Sequence, residues 1–204
     1  MILADMAVDQ AHVWEEDPDV REQHYKRAKR FLEIASTLGA RFVRIDAGGS
    51  RETLEWTDEQ FDFIAKRYQE YAQYAHDHGF KIGMENHWGP EKIYRNLKKM
   101  YDAVDHPAFG VSMHLSSWLG TEEEQEKSDE WCAPIASHTH LAWYVCQNEK
   151  VQLEDKLRLL DAAGYEGYYS VEHHSAKHEY ERVAMQLAGV REGLHRIRAE
   201  KVDS

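Results

Sequence analysis

Phe80-Lys81-Ile82-Gly83-Met84-Glu85-Asn86-His87-Trp88-Gly89-Pro90 is the stretch that decides the fold. Residues 80–85 read as a short buried strand, and the amphipathic run 91–104 after Pro90 reads as a helix. A carboxylate, an amide, an imidazole and an indole are thereby crowded where an apolar strand ends. Polar groups so placed are costly without a partner. The usual partner for such a cluster is a metal ion or a polar substrate.

The same strand–helix alternation extends in both directions. Upstream, residues 1–8 are short and apolar enough for a strand. Asp17-Pro18 looks like a helix entry, and Ala28, Phe31, Leu32, Ala35 and Leu38 share a helical face that stops at Gly39. Residues 41–46 form the next strand, ending in Asp46. Thr57 or Asp58 caps a helix whose stripe is Phe61, Ile64, Ala65, Tyr68, Ala72 and Ala75. Downstream, a strand over 109–114 ends on His114. The acidic segment 121–129 reads as a solvated helix or loop. Residues 135–141 form a strand on which His138 and His140, two apart, point to the same side. A helix over 152–163 and a strand over 167–172 ending in Glu172 follow. Tyr180, Val183, Ala184, Leu187, Val190, Leu194 and Ile197 mark a terminal helix, with a frayed tail over 198–204.

About six βα units imply a parallel sheet covered by helices. Asp46, Glu85, His114, His140 and Glu172 all stand at strand C-termini, which is where a (β/α)₈ barrel keeps its active site. An open doubly wound sheet concentrates ligand contacts at one switch point, so five such strand ends fit a ring better. No glycine-rich nucleotide loop is present. The expected fold is therefore α/β, a parallel barrel of TIM type. It is two units short of eight, and is either incomplete or completed by self-association. Residues 1–204 are expected to form one domain.

With 204 residues, 42% hydrophobic and 30% charged, the composition is that of an ordinary globular chain. A formal net charge of −12 argues against nucleic acid and anionic membrane as partners. Cys132 and Cys146 lack metal-type spacing and read as free thiols. No apolar run reaches transmembrane length, no signal peptide is recognisable, and the expected location is cytoplasmic.

Leu38-Gly39-Ala40-Arg41-Phe42-Val43-Arg44, Gly83-Met84-Glu85-Asn86-His87-Trp88-Gly89, Ser137-His138-Thr139-His140 and Gly164-Tyr165-Glu166-Gly167-Tyr168-Tyr169-Ser170-Val171-Glu172 resemble the xylose isomerase-like TIM barrels. The nearest likeness is to the sugar phosphate isomerase/epimerase group, over residues 7–194. The resemblance implies a divalent metal held by Glu, Asp, His and Glu at four strand ends. By position Glu85, His140 and Glu172 match three of these, and His114 stands where the family has Asp. Ser117 takes the place of a further polar partner, and Ala142-Trp143 replaces a frequent Lys-Asp pair. The likeness also sets Met1 near the third barrel strand, so the first two βα units are missing, and a possible homo-oligomer follows as cover for the open edges.

Two carboxylates and two imidazoles suit Mn²⁺, Zn²⁺, Co²⁺, Fe²⁺ or Mg²⁺, with the imidazoles weighing against Mg²⁺. The activity implied is isomerisation or epimerisation of a sugar, sugar phosphate or related keto/hydroxy compound through an ene-diolate. Glu85 and Glu172 are the candidate proton carriers. His87, Trp88, Arg44, Ser117 and His138 are candidate substrate contacts. Each has a plainer reading: His87 and Trp88 packed under a loop, Arg44 and Asp46 as a buried ion pair, His138 as a core histidine. His114 reads equally well as a structural residue. Rival functions are a polyol dehydratase or lyase on the same site, and a non-catalytic barrel that binds a sugar or a partner chain. A repair endonuclease would need a basic groove, which the net charge disfavours.

Overall fold

In the computed structural model, which describes residues 1–147 and 153–202, six parallel strands lie in chain order in one sheet. They are β1 (Asp5–Ala7), β2 (Phe42–Arg44), β3 (Lys81–Glu85), β4 (Phe109–His114), β5 (Ala136–Ala142) and β6 (Tyr169–Glu172). The helices are α1 (Pro18–Leu38), α2 (Asp58–Asp77), α3 (Tyr94–Val104), α4 (Glu122–Cys132), α5 (Trp143–Gln147), α6 (Leu153–Ala162) and α7 (Glu179–Val202). The sheet is curled into part of a barrel. β1 and β6 are its edges, yet Asp5 on β1 lies 3.4 Å from His140 on β5. The expectation of an incomplete TIM-type barrel is met.

Local chemistry explains the element ends. Asp17 caps α1 ahead of Pro18, and Gly39 closes it in the left-handed conformation at φ 68°. Thr57 and Gln60 form a reciprocal capping box at the start of α2, and Thr121 with Glu124 does the same for α4. The buried faces of α1 and α2 carry Ala28, Leu32, Ala35, Ile64, Tyr68 and Tyr71. Tyr68 donates its hydroxyl to the Ile45 carbonyl at 2.6 Å, tying α2 to the end of β2.

Several boundaries differ from the sequence reading. β1 occupies only Asp5–Ala7, and β2 stops at Arg44, which leaves Asp46 just beyond the strand. Gly89–Lys92 is a 3-10 turn, so α3 begins at Tyr94 rather than at 91. Leu38 is exposed. The expected start of the helix at 152 lies outside the described residues. The acidic helix α4 is largely solvated, but Asp129 is buried. It accepts from Trp118 Nε1 at 2.7 Å and Lys156 Nζ at 2.6 Å.

The last helix departs most. It continues past Arg198 to Val202, and its buried residues are Gln186, Val190, Gly193 and Ile197. Tyr180 and Ala184, expected inside, are exposed. The reason is polar. Gln186 Nε2 donates to the carbonyls of Leu141 at 3.0 Å and Glu172 at 2.9 Å, where β5 and β6 end. A hydrophobic stripe alone gives no weight to such an anchor.

The interior of the sheet leaves no room at two glycines. Gly83 pairs with Gly110, and a Cβ on Gly83 would stand 1.8 Å from the Gly110 carbonyl oxygen. Gly83→Ala is therefore expected to destabilise the fold by at least about 1–3 kcal/mol, the usual range for overpacking. Urea melts check this; a melt superimposable on the wild type would contradict it.

Candidate active site

Four side chains far apart in sequence meet at the C-terminal mouth of the sheet. Glu85 ends β3, His114 ends β4, His140 lies on β5 and Glu172 ends β6, and one ligand atom from each falls within 4.8 Å of the others. Glu85 Oε1 accepts from His140 Nδ1 at 3.0 Å and from His114 Nδ1 at 3.1 Å. Glu172 stands 3.5 Å from His140 Nδ1 and 3.8 Å from His114 Nδ1.

Strand register creates this meeting. The β4–β5 pairing shifts between Val111 and Ser112, and beyond the shift His114 lies beside His140. β6 then places Glu172 opposite Ala142, one inward-facing step beyond His140. Asn86 fixes the end of β4. Its Oδ1 accepts from His114 N at 2.6 Å, and its Nδ2 donates to the carbonyls of His114 at 2.9 Å and Ser117 at 3.3 Å.

A charged row flanks the four. Arg44 is buried, and its Nη1 donates to Glu85 Oε2 at 3.0 Å and lies 3.4 Å from Asp46, while Nη2 reaches Asp9 at 3.1 Å. Asp46 also accepts from His87 Nδ1 at 2.9 Å and Trp88 Nε1 at 3.2 Å. The same His87 nitrogen lies 2.9 Å from Arg44 Nη1. One nitrogen cannot both donate to Asp46 and accept from Arg44, and the carboxylate favours the donor form.

Protonation follows from these contacts. Burial pushes the Glu85 carboxyl up, but hydrogen bonds from His114 and His140 and the Arg44 charge outweigh it and hold the group well below the carboxylate range. Burial opposes charge on His140, yet Asp5, Glu85 and Glu172 raise it to about 10. His138 has no such hydrogen bonds, and burial lowers it to about 4.

Glu91 is the sole carboxylate near this row without a cation in contact among the described residues. It is fully buried, its Oε1 accepts from Ala47 N at 2.8 Å, and its Oε2 has no partner. Burial and then the Asp46 charge raise its pKa well above the ordinary value. A carboxyl raised in the fold binds more protons folded than unfolded, so its contribution to stability declines as pH rises above the unfolded value. Glu91→Gln keeps the acceptor for Ala47 N and removes the charge. The variant should be more stable than wild type at pH 8, with the difference shrinking toward pH 4. Denaturant titrations at both pH values decide it.

A cavity of about 350 Å³ is lined by Glu85, His114, His140 and Glu172 together with Arg44 and His87. A second of about 380 Å³ adjoins it across His114 and Glu172 and includes Ser117, Tyr144 and His174. Both volumes suit a small polar molecule. The structure thus brings Arg44, His87 and Ser117 to these cavities. It does not bring Trp88 or His138 there. Trp88 packs its ring 5.1 Å from His12 and 5.0 Å from Arg51. His138 lies deeper, stacked on Phe42 at 5.9 Å, and neither ring nitrogen has a hydrogen-bond partner.

Residues 6–200 match the family described as xylose isomerase-like TIM barrel. The chain belongs to that family. The family resemblance drawn from the strand-end motifs is thereby met over nearly the whole sequence. No curated protein matches the chain. Among solved structures it is similar to 3-keto-D-glucoside 4-epimerase from E. coli at 14% identity and TM-score 0.77, covering 94% of this chain and 79% of that one. A D-tagatose 3-epimerase-like protein gives 17% identity and TM-score 0.74, with 97% and 78% covered. A xylose isomerase-like TIM barrel protein from Mycobacterium smegmatis, in complex with magnesium, gives 14% and 0.71, with 92% and 74% covered. At these identities the likeness is one of fold.

Sequence reasoning missed Asp5 and Asp9, and it placed the Asn86 amide in the polar cluster after β3 without a role. Asp5 opens a three-residue strand too short for a pattern to mark as inward-facing, Asp9 lies just past its end, and Asn86 acts through backbone groups of another strand. No helix among the described residues is long and apolar enough to cross a membrane.

Proposed function

We propose that this xylose isomerase-like barrel is a metal-dependent isomerase or epimerase acting on a sugar, sugar phosphate or related keto/hydroxy compound. The observation that carries the reading is the convergence of Glu85, His114, His140 and Glu172 within 4.8 Å. The donor set fits a divalent ion on its chemistry. Two carboxylates and two imidazole nitrogens, 3.0–3.8 Å apart along the contacts they share, match the ligand types and spacings of Mn²⁺, Zn²⁺, Co²⁺ or Fe²⁺ and also admit Mg²⁺. When bound, the ion supplies positive charge for the oxygens of an ene-diolate.

The residues of the chain do the rest. Glu172 faces both cavities and keeps 24% of its side chain exposed, so it is the freer carboxylate to take a proton from carbon. Glu85 is 3% exposed and held by Arg44 and two imidazoles, so it orients the site and serves as the second proton carrier. Return of the proton to the opposite face of the same carbon gives epimerisation, and return to the neighbouring carbon gives isomerisation. Arg44, His87 and Ser117 are placed to orient substrate hydroxyls. The substrate is a small molecule in the cytoplasm, with no nucleic acid or membrane involved. A second copy covering the free edges of β1 and β6 belongs to the same proposal.

The test has two parts. Elemental analysis of purified, metal-stripped and reloaded protein should find a divalent ion that Glu85→Gln/Glu172→Gln protein takes up less of. NMR in D₂O should then show carbon-bound deuterium entering a ketose beside its carbonyl. Absence of any bound or acquired ion would favour the non-catalytic barrel, and loss of water from the substrate would favour a dehydratase.

A further inference from the structure

Outside the strand-end cluster, His12, Glu15 and His24 each offer a ligand atom within 4.8 Å of the other two. His12 Nδ1 lies 2.9 Å from Glu15 Oε1, and His24 Nδ1 lies 3.5 Å from the same oxygen. Ligands bound at about 2.0–2.2 Å in a tetrahedral site stand roughly 3.3–3.6 Å apart. The His24–Glu15 separation falls within that range, and the His12–Glu15 contact is a hydrogen bond that would lengthen by a few tenths of an ångström around an ion. The rings of His12 and His24 are nearly perpendicular at 88°, with centroids 5.4 Å apart, and the Nδ1 of each faces the same Glu15 oxygen.

The surroundings hold these groups in place. Val13 N donates to Asp46 O at 3.1 Å and Trp14 N to Ala47 O at 2.8 Å, pinning the loop that carries His12 to the end of β2. Arg21 Nε donates to the Glu15 carbonyl at 2.8 Å, and His24 stands on the long helix α1. His24 is 13% exposed, and its buried Nδ1 makes no close hydrogen bond and has the Glu15 carboxylate as its nearest charged group, so it is a nitrogen that a cation beside Glu15 could engage. His12 and Glu15 keep 22% and 32% of their side chains exposed, which leaves an entry path and an open position for solvent.

We infer that His12, Glu15 and His24 form a second divalent-metal site, suited to zinc or another imidazole-preferring transition ion rather than to calcium or magnesium. Its position gives it a role. His12 packs edge-on against Trp88, which donates to Asp46 beside the cavity. An ion there would clamp the loop after β1 to α1 and fix the rim at Trp88. The inference stands apart from the proposed isomerase site, since it shares no residue with it.

The experiment uses the full chain carrying Glu85→Gln and Glu172→Gln, stripped with chelator and dialysed against Zn²⁺ or Co²⁺. One equivalent should remain bound, with the visible absorption of low-coordinate Co²⁺, and adding His24→Gln should remove it. Thermal melts of the metal-free proteins serve as the folding control, and His12→Gln replaces His24→Gln if the latter fails to fold. No ion retained in the Glu85→Gln/Glu172→Gln protein, or an equivalent that survives the histidine substitution in a folded protein, would overturn the inference. If wild type holds a single equivalent that depends on His24 and not on Glu85 or Glu172, the inference stands and the isomerase proposal falls.

Discussion

Glu172→Gln is expected to reduce carbon–hydrogen exchange in a ketose substrate by about 10²- to 10⁴-fold, the range that a positioned acid–base group contributes. The fold should be almost untouched. Glu172 is partly exposed, its nearest contacts are His174 at 3.4 Å and the two histidines at 3.5 and 3.8 Å, and none is a buried lysine or arginine. Loss of exchange with an unchanged melting temperature would separate a chemical role from a structural one. Exchange at wild-type rate in the variant would remove Glu172 from the mechanism. Glu85→Gln is a poorer probe of chemistry, because it also takes a carboxylate from Arg44 and an acceptor from two imidazoles.

Arg44→Met carries the largest expected cost in stability, about 3–5 kcal/mol, as for removal of one partner from a buried charge network. Arg44 is the cation between Glu85 and Asp46, both almost wholly buried, and it also pairs with the exposed Asp9. Without it the two carboxylates face each other in a poorly solvated space. His87, 43% exposed and donating to Asp46, offsets part of the loss. Asp9→Asn should cost far less, because that carboxylate is 86% exposed and already solvated. Guanidinium melts of the two variants measure the contrast. Equal effects would mean that burial does not govern this row.

The outcome for Arg44 also shows how the plainer readings fared. The sequence offered it either to substrate or to a buried ion pair, and the fold gives it both settings: it lines the cavity while its two terminal nitrogens are engaged by carboxylates. His138 took the core setting. It shares a face with His140, as strand alternation requires, but lies one inward-facing step deeper, against Phe42. Alternation specifies which side of a sheet a residue faces and says nothing of depth along the barrel axis.

Six parallel strands, the helices other than α4 and α5, and the four polar residues at or near the strand ends were legible because they depend on local periodicity and on polar residues interrupting apolar runs; 121–129 stayed open between helix and loop, and the five-residue α5 carries no such signal. Glu85, His114, His140 and Glu172 announce themselves as costly endings to buried strands. What the sequence could not contain was distance. The register shift between β4 and β5, the Asn86 bridge and the Gln186 anchor bring together groups that are separated by many residues along the chain. Asp5 and His140 became neighbours through curling of the sheet, and His24 and Glu15 through the turn of the chain from the loop after β1 into α1. Periodicity is a property of a few adjacent residues, whereas these contacts are settled by how whole elements pack.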